Sequence, residues 1–520
     1  MRLHKEKDYK VFISVVISAL AFSLSLPNEF LFSGFPLGGF FCLAPYFCAL
    51  KQTDSPKKGA FLGFIFGMLF HASSSWWLAN FRDYAIWTLG ATTILFGIFY
   101  GFWALLLQYS MQNTICNISG PFLTAIAWTV MEWQKSNGYF AFPWGLLPYT
   151  VQKMPVLIQI ADISGIYGLS FILALSNAVL TELIWVDPGI SPKKMSRWKL
   201  PPVRTGLAAV FLLLAWTIGY GTWRIKNPVP IQRKIPLVLV QHNIDQFSNE
   251  KEALALAINL SRQGTTAMER QGRKPAMIVW SETLLTRPYG ENSASSFYSS
   301  ISFLEQSSIP VLTGAPLILD AYIPEIANGT ILVQRGRIIG SYGKQQLIPF
   351  AESIPFVKQK WMRRLMERFI GFSSSWTAGE KAVVMETSSF TFGTPICFED
   401  AFSGICRGFV REGAELLLNL TNDSWSQSYS AELQHMAASR FRTVENRRTL
   451  ARSANSGITA VIDAEGRIMA SLPPFTAGYL AVEVPIQSAR QTVYCLLGDW
   501  FPLFCALLFT LQMAFRHLRT

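Results

Sequence analysis

The sequence predicts two fold classes in one chain: a polytopic α-helical membrane domain of about eight transmembrane helices, and one α/β domain. Charged residues make up 15% of the 520 residues, well below the roughly 25% of ordinary globular proteins. Long apolar runs fill the first half and the end of the chain, whereas the interval between them is polar. This composition excludes disordered, collagen-like and coiled-coil chains.

Eight apolar runs are predicted to cross the membrane, because a hydrocarbon core about 30 Å thick needs about 20 helical residues. Seven precede the polar interval and one follows it, and the fifth is the weakest because it is short. We interpret the first run as an uncleaved span, since a second follows almost at once. The runs are 9–26, 31–50, 59–78, 84–107, 121–133, 156–186, 206–222 and 493–515.

Basic residues flank these apolar runs. The chain has a net charge of +12, but positive charges beside apolar runs argue against nucleic acid as its partner. They are typical of a membrane protein whose basic loops face the cytoplasm. The basic segments 5–10, 51–58, 193–199 and 516–519 fall on the same side of the predicted membrane. Residues 235–485 are therefore expected outside the cytoplasm, although one miscounted helix would reverse that side.

The polar interval reads as an α/β domain with a buried sheet core. Short β-branched runs alternate with the helical patterns 250–271 and 430–450, and two segments, 330–341 and 458–470, read as hairpins that turn at a glycine. The predicted strands are 235–240, 276–280, 309–313, 329–333 and 415–420. The predicted domains are 1–230, 231–487 and 488–520.

Three segments at the ends of apolar runs contain residues suited to nucleophilic catalysis. Glu282 ends one run, Lys344 follows a hairpin with Glu352 eight positions later, and Cys397 follows a third run. A thiol nucleophile needs a base, and a tetrahedral oxyanion needs a positive donor. Taken singly, each residue is better explained by a structural role: Glu282 as a helix cap, Lys344 as a solvated turn residue and Cys397 as inert core. The seven cysteines show no CxxC pairing, so no zinc site is expected.

Four motifs carry a resemblance to a known superfamily. WSET at 280–283, YGK to PFAE at 342–352, PICFED at 395–400 and NDSW at 422–425 resemble the nitrilase superfamily, in which a Glu-Lys-Cys triad sits in an αββα sandwich. A nitrilase-like domain before the last of about eight spans resembles the apolipoprotein N-acyltransferases of the bacterial cytoplasmic membrane.

The resemblance implies a role for each matching residue. Glu282 would be the general base, Cys397 the nucleophile and Lys344 the oxyanion donor. The backbone N–H of Phe398 would be a second donor, and Glu352 and Glu399 would support the site. An acyl chain would pass from a phospholipid, through a thioester on Cys397, to the α-amine of a diacylglyceryl apolipoprotein. The resemblance further implies a multi-pass inner-membrane protein with its catalytic domain in the periplasm, without cofactor or metal, and we expect a monomer.

Several positions depart from the family pattern. Gln346 replaces a common His, Ala351 a Gly, and Phe398 a Tyr. Candidate substrate contacts are Phe142, Pro143 and Trp144, in a loop that is either a lipid-entry rim or an interfacial aromatic belt, and Trp425 of the NDSW motif.

Other polar residues of the α/β domain have structural interpretations, and two other functions fit the same sequence features. His435 is expected to pack rather than catalyse. The arginines at 440, 442, 447, 448 and 452 are expected to form a solvated or ion-paired helix face rather than a site for lipid phosphates. The alternative functions are a membrane-tethered amide hydrolase of nitrilase type and a non-catalytic lipid transporter or binding protein.

Overall fold

The structure, a computed structural model, forms two compact units. The first comprises Met1–Asn227, Ser428–Ala437 and Leu497–Thr520, and the second comprises Pro228–Gln427 and Ala438–Leu496. The described residues are 2–53, 55–81, 85–112, 120–184, 201–245, 249–289, 302–320, 325–349, 352–353, 359–369, 376–488 and 490–517.

Helices account for the first unit and for part of the second. Short 3₁₀ segments lie at Pro36–Phe40, Trp76–Asn80, Leu147–Val151 and Cys397–Ala401, and a π-helical turn lies at Ile86–Ala91. The α-helices of the described residues are α1 (Arg2–Ser25), α2 (Ala44–Lys51), α3 (Pro56–Ser74), α4 (Thr92–Gln112), α5 (Gly120–Lys135), α6 (Pro155–Ile158), α7 (Ala161–Ser164), α8 (Tyr167–Ile184), α9 (Pro201–Lys226), α10 (Glu250–Glu269), α11 (Ser302–Gln306), α12 (Lys360–Phe369), α13 (Ser403–Arg411), α14 (Tyr429–Asn446), α15 (Val493–Leu497) and α16 (Trp500–His517).

Three helical segments of the described residues are long and apolar enough to cross a membrane: Ile86–Tyr109, Tyr167–Ile184 and Pro201–Lys226. Shorter apolar helical segments lie at Tyr9–Ser25, Pro36–Lys51, Pro155–Ser164 and Trp500–Ala514. The membrane class is therefore supported, whereas the number of about eight spans stays a prediction.

Several of the predicted spans are not continuous helices, and run 493–515 is one of them, since Gly498, at φ +64°, lies between α15 and α16. Run 31–50 contains a 3₁₀ turn and the eight-residue α2, because Gly34 adopts φ +66° and lies where a Cβ would be 2.2 Å from Ser25 O. Run 156–186 is interrupted by Gly165, at φ +63°, which ends α7 before α8 begins. Eight residues of helix rise about 12 Å, well short of a bilayer core.

The second unit contains two six-stranded sheets. One has the order β12-β1-β2-β3-β4-β5 and the other the order β11-β10-β9-β8-β7-β6. The strands are β1 (Ile231–Gln241), β2 (Met277–Val279), β3 (Val311–Asp320), β4 (Glu325–Gln334), β5 (Arg337–Gly343), β6 (Val384–Glu386), β7 (Thr391–Gly393), β8 (Leu416–Thr421), β9 (Leu450–Ala454), β10 (Ala460–Ile462), β11 (Ile468–Ser471) and β12 (Gly478–Gln487).

The sheets stack face to face with helices outside them. Val238 and Val240 of β1 belong to a buried cluster with Ala253 and Leu254 of α10. Leu237 and Leu239, which alternate with them and so point to the other face of the strand, are fully buried as well. A strand buried on both faces reads as a continuous apolar run, as β1 does. β1 packs against β9 of the other sheet, and α13 packs on β7. The predicted αββα sandwich is confirmed.

The predicted hairpins and central strands are also confirmed. β4 pairs antiparallel with β5 around Gly336, and β10 pairs with β11 around Gly466; both glycines have positive φ, as tight turns require. Strands β1, β2 and β3 are parallel, as are β7, β8 and β9. The carboxyl ends of neighbouring parallel strands meet at one edge of a sheet, where side chains can leave the core.

Candidate functional site

Glu282 lies just beyond the end of β2. The residue is 5% exposed, and Asn422 donates its backbone N–H to Glu282 Oε2 at 2.9 Å. Thr283 adopts φ +52°, which is unusual for a β-branched residue. Gly314 of β3 makes room for this turn, since a Cβ there would lie 2.1 Å from Thr283 N. The neighbouring strand therefore fixes where Glu282 enters the site.

Lys344 follows β5 directly and lies between two carboxylates. Its Nζ is 2.8 Å from Glu352 Oε1 and 3.3 Å from Glu282 Oε1. Asn328 of β4 bonds the same two oxygens through Nδ2, at 2.9 Å for Glu282 and 3.0 Å for Glu352. The backbone carbonyl of Asn328 also accepts from Lys344 N at 2.8 Å. One ammonium and one amide thus hold the two carboxylates together.

Cys397 begins the 3₁₀ turn that follows β7. It adopts φ +54°, a left-handed conformation that costs a non-glycine residue free energy, and its side chain is 6% exposed. Asn419 Nδ2 donates to Cys397 O at 2.8 Å and to Pro395 O at 3.0 Å. A strained residue at a strand end, held by a buried amide, is a common arrangement at functional sites.

Glu399 organises the backbone around Cys397. Its carboxylate accepts N–H bonds from Ile396, Gln345 and Gln346 at 2.7–3.0 Å and a hydroxyl bond from Tyr342 at 3.0 Å. Burial raises the pKa of Glu399 to about 7, against the opposing effect of these backbone donors. The residue joins the Cys397 turn to the segment that begins with Lys344.

The charges around Cys397 favour a neutral thiol. Burial raises the pKa of Cys397 well above its ordinary value, and the negative charge of Glu282 raises it further, while Lys344 and a hydrogen bond with Thr421 act in the opposite direction. Burial by itself lowers the pKa of Lys344, but Glu282 and Glu352 outweigh that effect, so its pKa lies well above the ordinary value. The resting site therefore combines a protonated thiol with a charged ammonium.

Hydrogen bonds bring Glu282, Lys344 and Glu352 together, and Cys397 lies within the electrostatic influence of Glu282 and Lys344. The ring of Phe398 lies 5.3 Å from Lys344 Nζ. Of the family departures, Gln346 contributes its backbone N–H to Glu399, whereas Ala351 lies outside the described residues.

The candidate substrate residues fall in different units. In the first unit Pro143 and Trp144 are buried and Phe142 is half-buried, while the preceding Phe140 is 51% exposed. The Trp144 ring packs 5.2 Å from His435, which agrees with a packing role for the histidine. Trp425, in the second unit, is half-buried. A substrate role for these residues stays a prediction.

The prediction of a solvated arginine face is wrong, although its ion-paired alternative holds in part. All five arginines are buried, being at most 6% exposed. Arg442 pairs with Glu445 at 2.9 Å and Arg452 with Asp400 at 2.6 Å, while Arg448 donates to Ala414 O. Arg440 and Arg442 lie on α14, whereas the other three arginines follow it along the chain. The sequence pattern did not show that the second unit buries all five.

The sequence interpretation missed Asn328 and Asn419. Both are polar residues inside apolar strands, 6% and 0% exposed. That interruption of an apolar run was the one available signal, since a buried amide must find hydrogen-bond partners. The order of strands in the sheets decides which residues supply those partners.

Comparison with known proteins agrees with this architecture. Residues 239–494 match the family model described as Carbon-nitrogen hydrolase, which is the class that the sandwich and its strand-end site define. Residues 18–179 match the model of the Apolipoprotein N-acyltransferase N-terminal domain.

Full-length relatives narrow the class further. Apolipoprotein N-acyltransferase 2 of Treponema denticola is 35% identical over 98% of this chain and 98% of the relative. The protein of the same name from Treponema pallidum is 35% identical over 96% of this chain and 93% of the relative. A solved amidase from Nesterenkonia sp. is 18% identical, covering 49% of this chain and 92% of the amidase with a TM-score of 0.35. This chain belongs to the apolipoprotein N-acyltransferase family.

Proposed function

We propose that this chain moves an acyl chain from a membrane phospholipid, through a thioester on Cys397, to the α-amine of the diacylglyceryl-cysteine of an apolipoprotein. The observation that carries the proposal is the strand-end cluster in which Lys344 Nζ contacts Glu282 and Glu352 and the charges of Glu282 and Lys344 act on Cys397. The names of the full-length relatives supply the substrate class.

In the first half-reaction Glu282 takes the thiol proton as Cys397 Sγ attacks the ester carbonyl carbon. Because burial and Glu282 keep the thiol neutral at rest, the proton must leave during the attack. Lys344 and the backbone N–H of Phe398 stabilise the tetrahedral oxyanion. The C–O bond then breaks, the departing glycerol oxygen takes the proton from Glu282, and lysophospholipid leaves the thioester on Cys397.

In the second half-reaction the α-amine of the acceptor attacks the thioester carbon. Glu282 accepts a proton from the amine nitrogen, the C–S bond breaks, and the same proton returns to Cys397 Sγ. Glu352 and Asn328 hold Lys344 and Glu282 in place through both steps. The two half-reactions together form a ping-pong cycle that needs no cofactor.

The membrane arrangement belongs to the same proposal. We assign residues 1–230 to a domain with seven spans, 231–487 to a periplasmic catalytic domain, and 488–520 to an eighth span with a cytoplasmic tail, in a monomer of the bacterial inner membrane. Three helices of suitable length and apolarity support a multi-pass arrangement. Both substrates carry acyl chains, so a membrane anchor keeps the site where these chains can enter without crossing water.

The proposal is tested by trapping the thioester. Purified protein is incubated with phospholipid that carries an isotopically heavy acyl chain, without acceptor, and the Cys397 peptide is analysed by mass spectrometry. We expect a heavy acyl group on Cys397 that disappears when a diacylated lipopeptide is added. Cys397→Ser should lower the rate of lipopeptide acylation by at least about 10³-fold, because an alcohol of much higher pKa replaces the thiol.

Cys406→Ser is the matched control, since Cys406 is also a buried free cysteine of the second unit. It should retain the wild-type transfer rate. Equal losses in both variants would contradict the assignment of the nucleophile. Release of the heavy acyl chain to water, without transfer to the lipopeptide, would instead favour the amide hydrolase, and an unmodified Cys397 in folded protein would favour the non-catalytic alternative.

A further inference from the structure

Asn419 interrupts an otherwise apolar strand beside the nucleophile. The residue lies on β8 and is fully buried. Its Nδ2 donates two hydrogen bonds, to Cys397 O at 2.8 Å and to Pro395 O at 3.0 Å. Because both neighbours are carbonyl acceptors, the NH₂ end of the amide must face them. The side chain therefore bonds the peptide units on both sides of Cys397.

The other end of this amide is unsatisfied. Asn419 Oδ1 is buried and has no hydrogen-bond partner in the described part of the chain. Leaving such an acceptor unpaired opposes folding, and an apolar side chain, as at Leu418 and Leu420, would avoid that cost. The favourable effect of Asn419 must therefore lie in its two donors.

The two peptide units differ at their N–H ends. In a trans peptide the C=O and N–H groups point in opposite directions. The unit that joins Pro395 to Ile396 is held at both ends, because Ile396 N donates to Glu399 Oε2 at 2.8 Å. The unit that joins Cys397 to Phe398 is held by Asn419 at its carbonyl, while the Phe398 N–H makes no hydrogen bond within the described residues.

We propose that Asn419 is a positioning residue that aims the Phe398 N–H at the acyl carbonyl oxygen during attack by Cys397. The inference rests on the proposed function and adds to it the residue that orients one oxyanion donor. Cys397 is at φ +54°, where the backbone would otherwise relax, so the orientation of the following peptide depends on the bond to its carbonyl. Asn419 itself touches no reacting atom.

Two reactions of the same thiol separate this role from a general effect on the site. Acylation by p-nitrophenyl butyrate forms an Sγ–C bond at a carbonyl, builds an oxyanion, passes the thiol proton to Glu282 and expels p-nitrophenolate. Alkylation by iodoacetamide forms an Sγ–C bond at a saturated carbon and expels iodide, without an oxyanion. In full-length Asn419→Leu we expect acylation to fall by about 10²-fold, with alkylation of Cys397 within about threefold of wild type.

A second variant and a matched control keep the test interpretable. Asn419→Thr has a similar volume and retains one donor, so its acylation should fall less than that of Asn419→Leu. Asn446 is the control, because it is also fully buried, also donates through Nδ2 to a backbone carbonyl, that of Arg442, and also has an unpaired Oδ1. Asn446→Leu should leave the ratio of acylation to alkylation unchanged.

Parallel losses of acylation and alkylation in folded Asn419→Leu and Asn419→Thr would overturn the inference. Unchanged acylation in Asn419→Leu would overturn it as well. If wild-type Cys397 reacts with the nitrophenyl ester but not with phospholipid, the proposed donor is wrong while the role of Asn419 can still be measured. If wild-type Cys397 reacts with neither ester, both proposals fail.

Discussion

The charge balance of the site is decided at individual residues. Lys344 is 1% exposed and contacts two carboxylates, so its ammonium stays charged in spite of burial. A buried cation without these partners would be neutral, because desolvation disfavours the charged form. Glu282 and Glu352 thus make Lys344 available as a permanent positive donor.

Glu399 makes the stability of the protein depend on pH. Its pKa is about 7 in the folded protein, against an ordinary value of 4.5. Between these values the folded state binds more protons than the unfolded state, so the free energy of unfolding falls as pH rises. The contribution is complete below pH 4.5 and is lost as pH rises through about 7, a change of at most about 3 kcal/mol.

Glu399→Gln should flatten the pH dependence of stability, because the glutamine side chain is neutral at every pH. The measurement is the melting temperature of purified protein in detergent between about pH 5 and about pH 8. Glu269→Gln, at an exposed position of α10, serves as the control and should keep the wild-type slope. A wild-type slope in Glu399→Gln would show that the Glu399 carboxyl does not titrate in this range.

At the scale of elements, the approach of β3 to the end of β2 sets the position of Glu282. Gly314 of β3 lies so close that a Cβ would be 2.7 Å from Glu282 Cα. The Gly314 N–H bonds Ser281 O at 3.2 Å, and its carbonyl accepts from Leu285 N at 3.2 Å. The turn that carries Glu282 is therefore attached to the neighbouring strand on both sides.

Gly314→Ala should displace Glu282 and slow acyl transfer by about 10²-fold, the usual effect of a misplacement of about 1 Å. The overpacked contact should also lower the free energy of unfolding by about 1–3 kcal/mol. Transfer rate and melting temperature are measured together. Gly404→Ala on α13 is the control, since a Cβ there would meet no atom within 4 Å, and equal effects of both changes would refute the positional argument.

At the scale of the whole molecule, the distribution of basic residues predicts which side of the membrane each unit faces. Lys57 and Lys58 are predicted to face the cytoplasm, and residues 231–487 the periplasm. The six cysteines of the described residues are all buried. An introduced exposed cysteine can therefore report on topology.

Lys274→Cys should react with a membrane-impermeant maleimide in intact spheroplasts, because Lys274 is exposed in the second unit. Lys57→Cys, also at an exposed position, should react only after lysis. Labelled peptides are identified by mass spectrometry. The reverse pattern would mean that the topology is inverted and that the periplasmic assignment is wrong. Labelling of both residues on the same side would mean that an even number of spans separates them, which would contradict the predicted seven spans before the second unit.

Local patterns in the sequence were sufficient to predict the fold class, the α/β sandwich and its two hairpins that turn at a glycine. They also indicated Glu282, Lys344 and Cys397, because a charged or reactive residue that ends an apolar run stands out against its neighbours. These signals come from residues close together in the chain, where hydrophobic periodicity and turn preferences operate.

Only the tertiary structure showed the interruption of runs 31–50, 156–186 and 493–515, the burial of the five arginines between 440 and 452, and the partners of Asn328 and Asn419. Asn328 meets Glu282 across 46 positions of sequence, and Asn419 meets Cys397 across 22. Hydrophobic periodicity indicates that a face is buried but not which element covers it. The sequence by itself therefore determined the chemical groups of the candidate site, whereas strand order and packing decided which groups hold them in place.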